Sequence, residues 1–159
     1  VLDRSGVKQY IASIEGDYWY EITDGGRGIG YLNEEISLGK QGISVFSRLD
    51  YSINGSKSVS SQRRLLFSAS PPYNLIKGTE RKGYGKDAID LSIELALENK
   101  NRWEPNEYLT RITANGESST EPTTASINFL DLNRLSYAVF SGLDKKDIAE
   151  NHQIFDFSK

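Results

Sequence analysis

The sequence predicts a mainly β fold of the α+β kind: an antiparallel meander forming a curved sheet, half-barrel or sandwich, with a short N-terminal helix and a second short helix near the C-terminus. Three observations carry this reading. Most of the chain alternates apolar and polar residues with a period of two, Gly- and Asn-rich turn signals separate the alternating runs, and only two segments show a helical period.

Val7, Tyr10, Ile11 and Ile14 lie at helical spacing over Ser5 to Ile14, with Ser5 as the N-cap and Gly16 as the stop. The period then changes. Tyr18, Tyr20 and Ile22 alternate with Trp19, Glu21 and Thr23, Asp24-Gly25-Gly26 reverses the chain, and a second strand runs from about Ile29 to Leu38. After the turn Gly39-Lys40-Gln41-Gly42, residues Ile43, Val45, Leu49, Tyr51 and Ile53 face one way. Ser44, Arg48, Asp50 and Ser52 face the other. Asn54-Gly55 leads into Val59 to Phe67 and completes a four-strand meander.

Proline has no N–H to donate, so Pro71-Pro72 places Ser70 to Tyr73 at an edge, a corner or a crossing to a second sheet layer. Pairing resumes over Asn74 to Lys82. From Asp87 to Glu98, Ile89, Leu91, Ile93, Leu95 and Leu97 alternate with polar residues, whereas a helix would spread these aliphatics around its circumference. A polar loop from Asn99 to Asn106, with Trp103 and Pro105, precedes a strand from Glu107 to Thr113 and the turn Asn115-Gly116. Glu117 to Ser126 has nothing apolar before Ala125 and reads as a mobile loop. Asn128 or Asp131 can cap a short helix through Phe140, with Leu132, Leu135, Val139 and Phe140 on its apolar side and Gly142 ending it. Gln153 to Phe157 is a short aromatic strand or linker. Nothing along 1–159 divides the chain, so one β-rich domain is expected, and the opening Val1-Leu2-Asp3 reads as a segment excised from a larger protein.

Charge and composition exclude several partners. Nineteen basic and 22 acidic residues are interspersed, giving −3 with no basic block, so nucleic acid is not an expected partner. The apolar runs, such as Tyr137-Ala138-Val139-Phe140, fall far short of the roughly 20 residues needed to span a bilayer as a helix, so this chain carries no expected membrane span. With no cysteine and a single histidine, His152, there is no thiolate nucleophile, and no triad or histidine-rich metal site is expected; no catalytic residue, metal or cofactor is assigned. Asp144, Asp147, Glu150 and Asp156 near His152 alternate with Lys145 and Lys146 and read as a solvated turn.

Gly25-Gly26-Arg27-Gly28-Ile29-Gly30 has the glycine density of a phosphate-binding loop, but such a loop must open a helix and strand-patterned sequence follows. Glu34 and Glu35 are adjacent and therefore point to opposite faces of a strand. Asn54-Gly55-Ser56 is a glycosylation sequon that makes an equally good hairpin turn. The aromatic residues are more informative. Tyr18 and Tyr20 share one face of their strand and Trp19 takes the other, so a bulky ring is either covered by a second layer or exposed. Trp19, Tyr31, Tyr73, Trp103, Phe155 and Phe157 form the candidate interaction surface.

Tyr18-Trp19-Tyr20 with Ile22 and Gly28-Ile29-Gly30-Tyr31, then Pro71-Pro72-Tyr73, then the closing Ile154-Phe155-Asp156-Phe157, occur in an order that resembles the N-terminal region ahead of the catalytic core in bacterial transglutaminase-like proteins. That core has a papain-like fold with a Cys-His-Asp triad, and the missing cysteine means its activity does not transfer here. What the resemblance implies is a non-catalytic accessory domain that packs beside or regulates a downstream catalytic domain of the same polypeptide, in an extracytoplasmic (periplasmic or secreted) bacterial setting. The strand pattern leaves a second reading open, a free-standing module holding a lipid or another small ligand in an apolar cavity.

Overall fold

A computed structural model describes residues 4–53, 55, 57–101 and 104–131. It is mostly antiparallel β: α1 (Arg4–Ile14) is followed by β1 (Gly16–Asp24), β2 (Arg27–Gly39), β3 (Gly42–Ile53), β4 (Lys57–Phe67), β5 (Leu75–Lys82), β6 (Ile89–Leu97), β7 (Asn106–Ala114) and β8 (Glu117–Ala125). The strands form one open sheet in strictly sequential order, β1 to β8. A crossing to a second layer at the prolines is therefore not realised. Phe67 pairs with Leu75 after a register shift at Leu66, and β5 continues the same sheet.

Period-two alternation divides the sheet into a covered face and an open face. On the covered face, Ile36, Ile43, Val45, Leu65, Phe67, Leu75, Ile93 and Tyr108 form the core with Ile11 of α1, Tyr73 and Phe129. The helix is anchored at its end by the Tyr18 hydroxyl, which donates to the Ile14 carbonyl at 2.8 Å. Tyr108, fully buried, donates its hydroxyl to the Leu75 carbonyl at 3.1 Å. Two glycines are dictated by close approach. A Cβ at Gly30 would stand 2.1 Å from the Asp50 carbonyl oxygen, and one at Gly42, where φ is +136°, would stand 2.0 Å from that of Phe67.

Three expectations need correction. Glu117 to Ser126 is not a mobile loop, because Glu117–Ala125 pairs residue for residue with β7. Its side chains are exposed as far as Thr124, so burial gave almost no signal; the order comes from the ladder and from threonine contacts such as Thr113 with Ser118 at 2.8 Å. Pro122 is compatible with this position because β8 is an edge strand. Leu97 leaves the aliphatic face of β6, since a register shift between Leu95 and Leu97 turns it outward to 57% exposure. Tyr73 is not a surface residue: it is 3% exposed, and its backbone bonds Ser70 and Phe129 beneath the core.

The helix start near the C-terminus has its cap at Asn128, whose Oδ1 accepts from the Asp131 amide at 3.0 Å. The remainder of the expected helix, with Leu132, Leu135, Val139 and Phe140, lies outside the described residues, as do Asn54, Ser56, Trp103, His152 and the Gln153 to Phe157 segment.

Candidate functional site

The open face supplies the candidate site. β1 and β2 place Trp19 opposite Asn33, and β2 and β3 place Tyr31 opposite Asp50. Trp19 is 63% exposed, yet its position is fixed: Nε1 donates to Asp17 at 3.3 Å and its ring lies 5.3 Å from that of Tyr31, tilted by 38°. The Arg48 guanidinium stands 5.8 Å from the Tyr31 ring centre on the same face.

Asp50 ties this platform together. It accepts from the Tyr31 hydroxyl at 2.9 Å, the Tyr84 hydroxyl at 2.7 Å and Arg48 Nε at 2.6 Å. Tyr84 comes from the β5–β6 connection, so the network joins β2, β3 and that connection at one carboxylate. Partial burial pushes the Asp50 carboxyl up, but the bonds from Tyr84, Ser60, Arg48 and Tyr31 together outweigh it and hold the group down at about 2. The same bond to Asp50 raises the Tyr31 hydroxyl above its ordinary value.

Asp50 contributes stability that is present in full above its ordinary value of 3.8 and is lost as the pH falls through 3.8 toward about 2. Glu34, raised by burial on the covered face, works oppositely: its ionised form costs stability at neutral pH, and acid relieves that cost. Replacing Tyr31 and Tyr84 by phenylalanine is expected to move the Asp50 midpoint from about 2 upward toward 3.8, read from its carboxyl carbon by NMR titration. A midpoint that stays at about 2 would remove the tyrosines from the network.

The platform runs into a basic groove. In register across the open face, Trp19, Asn33, Arg48, Gln62, Arg81 and Asp90 form one row, and Phe46, Arg64, Thr79, Ser92 and Arg111 form the next. Between β4 and β7 these rows line a depression of about 270 Å³ that takes in Arg64, Arg81 and Arg111. Arg64 lies 4.7 Å from the centre of the Phe46 ring, Arg81 faces both Asp90 oxygens at 3.3 Å, and Arg111 donates Nε–H to Thr120 at 3.3 Å.

The covered face carries a different polar row: Tyr18, Glu34, Ser47, Arg63 and Glu80 stand opposite one another on β1 to β5. Glu80, 3% exposed, accepts from Ser61 at 2.9 Å and Arg63 at 3.2 Å through Oε1. Glu34 and Glu80 are three strands apart, about 14 Å along the sheet at the usual strand spacing, beyond the roughly 5–9.5 Å of a hydrolytic carboxylate pair. Glu35 points to the other face, as adjacency in a strand requires. The glycine cluster is a hairpin: Gly25 and Gly26 have φ of 55° and 80°, and Gly28 and Gly30 bracket a register shift in β2.

Of the six aromatic residues selected from sequence, the structure brings Trp19 and Tyr31 together, buries Tyr73, and leaves Trp103, Phe155 and Phe157 outside the described residues. Sequence reasoning missed Tyr84, Arg48 and Asp50 as site residues. The phase of β3 already placed Arg48 and Asp50 on the face away from the apolar side, and only the register against Tyr31 was lacking. Among the described residues no group of three His, Cys, Asp or Glu side chains is arranged to hold a metal ion, and no helix is long and apolar enough to cross a membrane.

Comparison with known proteins finds no matching family model, no matching curated protein and no matching solved structure.

Proposed function

We propose that this chain is a non-catalytic accessory domain that docks, through the Trp19–Tyr31–Tyr84 platform, onto a transglutaminase- or protease-like core carried by the same polypeptide in an exported bacterial protein. The observation that carries this reading is Trp19: a large ring left 63% exposed, yet held by Asp17 and by Tyr31. A ring ordered before contact loses little conformational entropy on binding, which is the property of an interface anchor. The order of the sequence motifs around Trp19 and Tyr31 supplies the identity of the partner. A lipid-filled apolar cavity draws less support, because Glu34, Arg63 and Glu80 cross the middle of the covered face.

The test is to express the segment that follows this domain in its parent reading frame and titrate it with the domain. A Kd that rises roughly thirtyfold for Trp19→Ala, equivalent to about 2 kcal/mol, is the expected result. A parent frame that encodes no such core, or a Kd indifferent to Trp19, overturns the proposal.

A further inference from the structure

The arginine groove has no part in the docking proposed above, and its chemistry is distinct. Its floor is the open face of β4 to β7, four interior strands whose backbone groups face their sheet neighbours. A peptide therefore has no free edge there onto which it could add as a strand. Nor does the groove offer a peptide an apolar pocket: Leu91, its aliphatic lining residue, is 3% exposed and belongs to the opposite face.

What the groove offers is planar cations alternating with small polar groups. Arg64 and Arg111 stand at the two ends of a row whose middle members are the Thr79 and Ser92 hydroxyls, and Arg81 stands in the adjacent row between Gln62 and Asp90. At the usual strand spacing the end arginines are about 14 Å apart along the sheet. The Phe46 ring orients Arg64, Thr120 orients Arg111, and Arg81 is held by Asp90 and by the Gly85 carbonyl, which accepts from Nη2 at 3.3 Å. The Arg81–Asp90 pair, with both side chains half exposed, is too solvated to neutralise its arginine for an incoming oxyanion. The positive charge is local in a chain of net −3: on the same face Glu35 continues the Arg64 row beyond Phe46, and Glu94 stands in the row beside it. A ligand with a phosphate at every nucleotide would meet these carboxylates; a ligand with sparse anions between neutral hydroxyl-rich units would not.

We propose that the groove between β4 and β7 binds an acidic polysaccharide, whose carboxylate or sulfate groups pair with Arg64, Arg81 and Arg111 while its ring hydroxyls bond Gln62, Thr79 and Ser92. The shared chemistry is an oxyanion on a sugar ring, which a uronate and a sulfated sugar both provide. This site adjoins the docking platform along one row of the open face but uses different residues, so either assignment can fail alone.

The experiment titrates the full chain, by calorimetry and amide NMR, with oligogalacturonate, a heparin oligosaccharide, neutral oligogalactan, poly-glutamate and oligo-dT. Binding of oligogalacturonate or heparin oligosaccharide, weakened by salt and absent with the neutral glycan, is expected, and which of the two binds identifies the anion. Arg64→Gln and Arg111→Gln should each weaken it about tenfold, with shifts confined to β4 to β7 amides, while Trp19→Ala leaves it unchanged. Should Arg64→Gln disturb folding through its contact with Phe46, Arg111→Gln decides alone, since its side chain is exposed. The proposal is overturned if neither acidic glycan binds, if the neutral glycan binds as well, if poly-glutamate or oligo-dT binds more tightly, or if a folded Arg111→Gln chain binds like the parent.

Discussion

Glu80→Ala is expected to lower the unfolding free energy by about 3–5 kcal/mol, the cost of removing one partner from a buried ion pair. Glu80 sits on the covered face of β5 at 3% exposure, directly opposite Arg63 of β4, and its Oε1 receives both Arg63 and Ser61. Alanine would remove the carboxylate that offsets the desolvation of Arg63, whose side chain is 21% exposed. Replacing both partners together, as Arg63→Met with Glu80→Leu, removes the desolvation cost along with the attraction and should recover most of the loss. Urea unfolding of the parent, Glu80→Ala and the double variant checks this. A cost below about 1 kcal/mol for Glu80→Ala would mean that solvent reaches the pair and that it does not hold β4 to β5.

Phe67→Ala should cost a similar amount, about 3–5 kcal/mol, for a different reason. The ring is fully buried and meets Phe129 edge-on, with centres 5.5 Å apart and planes at 66°. Collapse around the missing ring is hindered because the backbone nearby is pinned: Gly42 abuts the Phe67 carbonyl, Ser68 bonds Asn74 at 2.8 Å, and Leu75 bonds Ile127 at 2.8 Å. The cavity therefore stays open and adds to the lost transfer energy. Phe67→Leu, which keeps most of the volume, should cost about 1–1.5 kcal/mol. Calorimetric unfolding of the two variants separates the outcomes. Equal melting of Phe67→Ala and Phe67→Leu would show that the site collapses freely.

The fold was legible wherever side-chain chemistry reports burial or turning. Ile43, Val45, Leu65 and Phe67 follow a period of two, and Gly25-Gly26 and Asn115-Gly116 take the positive φ their turns need, so the meander can be read from residue order. β8 escaped because an edge strand exposed along its length has no apolar period, and its ladder bonds to β7 are a property of backbone. Tyr73 escaped for the opposite reason. An aromatic residue beside two prolines looks exposed, whereas here it turns beneath Phe129. The site was half legible: Trp19 and Tyr31 were visible as aromatic residues, but the Asp50 hub joins residues 19 and 34 positions apart, a relation set by register and by a connecting loop. The arginines of the groove are spread singly over β4, β5 and β7, and only alignment of the strands gathers them.

The strictly sequential order of the strands bears on how the molecule assembles. Each pairing is a hairpin, so β structure can grow by adding the next strand to the last, without first closing a long loop between distant segments. The ends of such a chain are held from one side only. β8, with mostly exposed side chains and β7 as its one strand partner among the described residues, is where opening should begin, and its amides should exchange with solvent well before those of β3 and β4, which are paired on both sides and cross the buried core.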